Sequence, residues 1–573
     1  MSEDTWVIDT EPSTRLQVYT RMNANDVLSD PISPLGASLV WNPHILRGWS
    51  IGYHDLGSIT ADEASDLTSS GAFFYGHLFV NMSATRLFGL RSGVGVAAVD
   101  AMWFGGHPDI PPYVPREGDE NEERSAKLAE FTQWALTAET YPALDEDRAL
   151  GERLRAQRPD FTTMSPAALV AYARSIGPFE RLVWRGEVFG GLAGATGPGV
   201  LGALLAEADP TLVIQITGHG GDVDSAEPPF ELWKLSRLVR DDAALSAVFD
   251  AGVDQVRGRL AEFPAFQAAF DAFIREYGYR GPNEWDIYSD TWESKPELAL
   301  SLVDRMRTMG PEGDPNERAK ATAAAATAAT QTARALLGDD AEALATFDLA
   351  VAASRRGAGW RERGKANCVR VLHEARMAIL ELGRRLHAEG HIEHPKQVFM
   401  ALDEELDTLA VSPQLLSETL AERERGWKDL FGLDLPPFLD STKPLPARSS
   451  LHKKGEVSAG SALAVGESLQ GLGSSAGIAR GRARVVTSPD MADHLEPGDV
   501  LVAPQTDPSW TPLFVVAGAV VVDVGAPNSH AMIVSRELGI PCAAGVTGAT
   551  ERIPDGALVE VDGATGTVTV VEL

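Results

Sequence analysis

The spacing of apolar and polar positions divides the chain into two grammars. Through residue 434 most patterned segments repeat at helical intervals. "NERAKATAAAATAATQTARALL" (Asn316–Leu337) is a strong helix former, and "NCVRVLHEARMAILELGRRLHAEG" (Asn367–Gly390) carries apolar residues on one helical face. After residue 475 the pattern changes to short β-rich runs between Gly, Pro and Asp turns: "ARGRARVVT", "GDVLVAP", "AGAVVVD" and "TGTVTVV". One helix interrupts them. "AMIVSREL" reads as a short buried helix with Ser529 at its N-cap and a stop at Gly539 and Pro541. Between the two grammars, residues 435–475 are rich in Pro, Ser and Gly and show little periodicity, as an interdomain linker does. The expected protein is multidomain: a large, mainly α-helical region (1–434), a flexible linker (435–475) and a small β-rich domain (476–573) with one or two helices.

Length agrees with this, because 573 residues exceed what one core supports. Charge narrows the partners. Fifty Lys and Arg stand against 81 Asp and Glu, and a net charge of −31 argues against nucleic acid or an anionic membrane surface as the main partner. It leaves room for a local cationic pocket. The two cysteines, Cys368 and Cys542, are too few for a disulfide framework or a thiolate zinc site, and no metal site is expected. The N-terminus lacks the basic and apolar regions of a signal peptide, and we read no uncharged apolar run of about 18 residues, so the expectation is a cytoplasmic chain without a membrane span.

Two glycine motifs are set aside. "GPGVLG" (Gly197–Gly202) fits a dinucleotide fingerprint in letters, but no strand precedes it and Pro198 removes an N–H donor, so it reads as a turn between helices. "GWRERGKA" (Gly359–Ala366) misses the phosphate-loop pattern at Ala366, where a hydroxyl would bind Mg²⁺. The same stretch has a second reading. Arg361, Lys365, Cys368, Leu372 and Ile379 fall on one helical stripe, so two cations continue a face that is buried further along. Either they make a structural ion pair or a frayed first turn weakened by Gly364, or they stabilise a transferring phosphoryl group.

"REYGYRGPNEWDIYSDTW" (Arg275–Trp292) packs Tyr279, Arg280, Glu284 and Asp286 around a Gly-Pro turn. Such a mixture lines a pocket for an aromatic ligand, or forms a structural corner. His77 in "HLFVNMSATR" and His219 in "TGHGGDVDSAEPP" sit in further polar islands, without the spacing of a metal site. His391 and His394, in "HIEH", read as the solvated end of a helix. His530 is the sharpest candidate. It opens a helix where backbone N–H groups point outward and the dipole is positive, a place suited to an anion such as phosphate.

The segments "SSAGIARGRARVV", "GDVLVAPQTDPSWTPLF" and "APNSHAMIVSRELGIPCAAG" resemble, in order and spacing, the swivelling phosphohistidine domain of pyruvate phosphate dikinase, phosphoenolpyruvate synthase and their relatives. His530 matches the family's phosphorylated histidine. Asn528 departs from the usual threonine, which removes any threonine-based regulation there. The helical region is similar to the substrate-binding domain of rifampin phosphotransferases through "DPISPLGASLV", "YGYRGPNEWDI" and "WRERGK".

The resemblance implies that Arg361 and Lys365 stand near the transferring phosphate. It also implies ATP and Mg²⁺ as cofactors. These families begin with an ATP-grasp domain, whereas here the helical region starts close to Met1, so a separate ATP-grasp subunit holding the nucleotide is expected, as in phenylphosphate synthase. The expected reaction moves phosphate from that subunit to His530 and on to a small phenolic hydroxyl. Candidates to receive the hydroxyl proton or line the acceptor site are His54, His77, His219, Tyr279, Arg280 and Glu284. Alternatives are a split rifamycin-type antibiotic phosphotransferase, a phosphoenolpyruvate-synthase-like enzyme, and a non-catalytic scaffold retaining the fold.

Overall fold

The computed structural model describes residues 5–22, 24, 28–104, 107, 109–206, 208–209, 211–218, 224, 227–453, 461–475, 477–487, 491–492, 494–506, 510–525 and 529–573. A large helical region and a C-terminal sheet domain are both present. The helices that position the site are α1 (Leu46–Leu56), α2 (Pro142–Ala156), α3 (Pro166–Leu205), α4 (Glu227–Asp241), α5 (Glu297–Arg307), α6 (Pro315–Leu337), α7 (Ala341–Ala388), α8 (Thr511–Val516) and α9 (His530–Leu538). By contacts the chain forms two units. One holds residues 1–193, 285–289 and 363–457, and the other holds 194–284, 290–362 and 458–573.

In the first unit, β1 (Val18–Thr20), β2 (Gly71–Phe74), β3 (His77–Asn81) and β4 (Phe438–Asp440) form an antiparallel sheet in the order β2-β3-β1-β4. A short chain excursion, Trp285–Ser289, is fixed by side chains of distant segments. The Ser33 backbone N–H and hydroxyl both donate to the Asp286 carboxylate at 2.6 Å, Arg376 donates to the Asp286 carbonyl, and Trp41 Nε1 donates to the Trp285 carbonyl. The motif around Ser33 and the motif around Asp286 are thus the two halves of one buried contact. Burial pushes the Asp286 carboxyl up, and the donors from Ser33 and Tyr288 oppose that shift.

The second unit contains a mixed eight-stranded sheet. Its strands are β5 (Ser468–Gln470), β6 (Leu472–Ser475), β7 (Ile478–Val485), β8 (Val500–Ala503), β9 (Ala519–Val522), β10 (Cys542–Ala544), β11 (Leu558–Asp562) and β12 (Thr567–Glu572), and their order is β5-β12-β11-β7-β8-β9-β10-β6. Strands β7 to β10 pair in parallel. Every residue of β8 and β9 is buried, as expected of parallel strands covered on both faces. Val500, Val502, Ala519 and Val521 pack on one face, while Leu501, Ala503, Val520 and Val522 join α8, α9 and helices α4 and α5 in a continuous apolar core on the other. Helix α9 also packs on α6.

Three differences from the sequence expectation have physical reasons. The stretch read as a linker contains β4, β5 and β6, strands of three or four residues, too short to show alternation; residues 454–460 within it lie outside the described residues. "GPGVLG" is no turn but part of the interior of α3. A Cβ on Gly197 would stand 2.5 Å from Ser354 Oγ, and one on Gly194 would stand 3.0 Å from the Gly357 carbonyl, so these glycines let α3 and α7 approach closely. The same helix corrects the hydropathy reading. Val188–Ala206 is uncharged, and α3 is long and apolar enough to cross a membrane by length and composition, with a mean hydropathy of 1.5 in its most apolar window.

Candidate active site

The parallel strands deliver His530. Strand β9 ends at Val522, and after a loop the chain turns into α9 with Ser529 in extended geometry at the N-cap and His530 as the first helical residue. This is the carboxyl end of a parallel strand, where open α/β sheets place their ligands. Gly539 closes the helix with φ +64°, a left-handed conformation natural to glycine, and both ends agree with the sequence reading. The cap differs in one respect. Ser529 makes no side-chain cap bond, and its Oγ is buried with no hydrogen-bond partner, beside His530.

The imidazole is 7% exposed and held on both nitrogens. Nδ1 lies 3.0 Å from Thr506 Oγ1, and Nε2 lies 3.1 Å from Thr511 Oγ1. Phe514 packs against it edge-on, with ring centroids 5.7 Å apart. A neutral imidazole has one N–H and one bare nitrogen, so one threonine accepts and the other donates. If Nδ1 donates to Thr506, Nε2 is the nucleophilic atom, and the Thr511 hydroxyl lies on its lone pair. Thr511 would have to turn aside for any electrophile to reach Nε2. Sequence reading missed both threonines, although both belong to the "GDVLVAPQTDPSWTPLF" segment that supported the resemblance.

Arg361 and Lys365 lie one turn apart in the middle of α7, which excludes a frayed first turn, and both are half-buried. Gly364 has a packing reason, since a Cβ there would stand 3.0 Å from the Glu187 Cα on α3. Arg361 has the Glu362 carboxylate 4.0 Å away.

The remaining candidates separate. Arg280 and Glu284 form an ion pair at 3.0 Å with both side chains buried, and the Gly281 N–H donates to Glu284 at 3.2 Å. Burial favours loss of the Arg280 charge, but Glu284, Glu362 and Asp224 outweigh it and hold the guanidinium charged. Tyr279 beside them is buried. Asp286, two residues beyond Glu284, belongs to the other unit, and the stretch between them is turn rather than strand. His77 is buried on β3 with Nδ1 2.8 Å from the Tyr75 carbonyl, and His54 on α1 lies 3.1 Å from Asp55; both belong to the first unit, whereas Arg280 and Glu284 belong to the second. His219 lies outside the described residues. Among the described residues no group of three or more His, Cys, Asp or Glu side chains is placed to hold a metal ion.

A family model for the mobile domain of PEP-utilising enzymes matches residues 495–566, which include Thr506, Thr511 and His530. Over that stretch the chain is similar to the PEP-utilising enzymes. A second model, the fourth domain of rifampicin phosphotransferase, matches residues 189–362, the helical part of the second unit together with Tyr279, Arg280, Glu284 and Arg361. A rifampicin phosphotransferase from Streptomyces sviceus is 25% identical over 99% of this chain and 64% of its own length. Another from a Streptomyces species is 30% identical over 61% of this chain and 40% of its own. An uncharacterised protein of Mycobacterium tuberculosis is 33% identical over 62% of this chain and 37% of its own. The chain spans between 37% and 64% of the length of these curated relatives.

Proposed function

We propose that the chain is the phosphotransfer component of an ATP-dependent, dikinase-type kinase. His530 Nε2 takes a phosphoryl group that a separate ATP-grasp subunit draws from ATP, and passes it to the hydroxyl of a small phenolic acceptor. The observation that carries this reading is the histidine at the start of α9, inside the matched mobile domain and fixed by Thr506 and Thr511 on its two nitrogens. A covalent phosphoimidazole splits one difficult transfer into two easier ones. The positive end of α9 favours the bound phosphate, and Arg361 and Lys365 offset the charge that develops on the phosphoryl oxygens. Likeness to phenylphosphate synthase supports both the separate subunit and the phenolic acceptor. ATP and Mg²⁺ belong, in this reading, to that subunit.

The second reading, a rifamycin-type antibiotic phosphotransferase, is favoured by the Streptomyces sviceus relative, whose similarity runs along 99% of the chain. Labelling from ATP marked in its β-phosphate, with an ATP-grasp partner, tests both. Acid-labile label on His530, lost in His530→Ala and discharged by phenols, is the expected result. Discharge only by a rifamycin selects the second reading. A chain whose activity survives His530→Ala is no carrier.

A further inference from the structure

The helical part of the second unit carries a groove for which the phosphocarrier reading has no use. We propose that it is a binding site for a hydrophobic amine, a ligand with an aromatic or aliphatic body and one ammonium group. The proposal is independent of whether His530 carries phosphate.

The groove runs between α4 and the helix Pro264–Tyr277, and its volume of about 420 Å³ falls within the range of small-ligand sites. The sequence makes the hollow: Ala269 and Ala272 on one helix leave room that Leu235 and Leu238 on the other do not fill. Part of the lining is fixed from behind. Leu235 and Phe273 are buried and belong to the core that includes Val520 and Val522 of β9, and Phe273 is braced by Trp292 with ring centroids 5.2 Å apart. Leu238 stays 45% exposed, so a seated ligand body would cover apolar surface that is still in water.

The polar groups around this apolar lining are chiefly anionic. Glu231 and Glu276 line the groove, one from each helix, and Glu227 reaches its Tyr277 end, where it accepts from the tyrosine hydroxyl at 3.2 Å. Lys234 is the cation in the lining, and its ammonium is joined to Glu231 at 2.7 Å. Three carboxylates against one ammonium leave the groove net negative. The Tyr277 hydroxyl responds to that field: burial pushes its pKa up, and Glu227, Glu276 and Glu231 each add to the rise. A carboxylate or phosphate ligand is repelled by the same charges, whereas an ammonium is drawn to them. The Phe273 and Tyr277 rings, 5.3 Å apart, add aromatic surface that attracts a cation.

Saturation-transfer NMR on the full chain at low salt tests this, with tryptamine as the probe and tryptophol and indolepropionate as its neutral and anionic counterparts. Tryptamine should bind with a Kd of about 1 mM or tighter, tryptophol about tenfold more weakly, and indolepropionate more weakly still. Ala272→Phe, at an exposed helical position, should fill the groove and weaken tryptamine by about tenfold or more. That variant alters no charge, so it separates the groove from a general attraction of amines to an acidic chain. The double variant Glu231→Gln, Glu276→Gln should bring tryptamine to the level of tryptophol and leave tryptophol unchanged. Tryptophol binding as tightly as tryptamine, tryptamine binding unchanged in Ala272→Phe, or no transfer from the parent at about 10 mM tryptamine each overturns the assignment. Self-association of the parent that Ala272→Phe abolishes gives the groove to a second copy of the chain and overturns it as well.

Discussion

The His530 pocket and the charged interior of the long helices solve opposite problems. Around His530 both ring nitrogens are engaged by threonine hydroxyls, and Thr506, Thr511 and Phe514 all come from one short stretch before it. Between α3 and α7 the polar groups are acids and cations from segments far apart in sequence, and several are strained electrostatically. Glu180 is fully buried, its Oε2 accepts from Trp184 Nε1 at 3.0 Å, its Oε1 has no hydrogen bond, and burial pushes its carboxyl well above the usual range. The proposed phosphate carrier is kept in a mild network of neutral hydroxyls. The acids are kept in surroundings that penalise their charge, which makes them strong proton acceptors once ionised.

The sharpest way to break this comparison is to unpair a buried charge. Arg280→Met leaves Glu284 as an uncompensated carboxylate and should destabilise the chain by about 3–5 kcal/mol, read from urea unfolding. The double variant Arg280→Met, Glu284→Met should recover most of that loss. Equal losses in single and double variants would mean that Arg280 is anchored chiefly by Glu362 and Asp224.

A smaller effect is expected at the histidine. Thr506→Val keeps the shape of the pocket but removes the hydroxyl on Nδ1, which in the proposed tautomer accepts from that nitrogen. Losing one neutral hydrogen bond is worth about 1.4 kcal/mol, hence about tenfold in the rate of phosphohistidine formation. Thr511→Val removes the hydroxyl lying on Nε2 and should slow loading less, because Thr511 must leave that position anyway. A larger loss for Thr511→Val than for Thr506→Val would reverse the assignment of the two nitrogens.

The contrast also explains what the sequence disclosed. The His530 site is local: an N-cap serine, a histidine, an apolar helix and a glycine stop lie within eleven residues, Ser529–Gly539, and β8 and β9 are unbroken valine-rich runs. Such features leave a periodic trace. Asp147 leaves none, since nothing in "PALDEDRALGERL" distinguishes it from Asp145, which pairs with Arg363 at the surface; only the packing of α3 buries one acid and leaves the other outside. The same holds for Ser33 and Asp286, whose motifs were legible separately while their contact across 253 positions was not. The glycines of α3 were read as a turn because close helix packing and loop formation select the same residue.

The smallest predicted effect is the burial of Asp147. Its folded carboxyl titrates at about 7 against an ordinary value of 3.8, so the folded chain holds the proton more tightly than the unfolded chain. That contribution to stability is complete below pH 3.8 and is lost as pH rises to about 7. Asn cannot ionise. Asp147→Asn should therefore match the parent in acid, apart from any constant offset, gain on it through that window, and hold the gain above it. Discounted for the partial exposure of the side chain, the gain is about 1 kcal/mol. Guanidinium unfolding of both proteins at a series of pH values measures it. A difference that stays flat with pH would mean that solvent reaches the carboxylate freely.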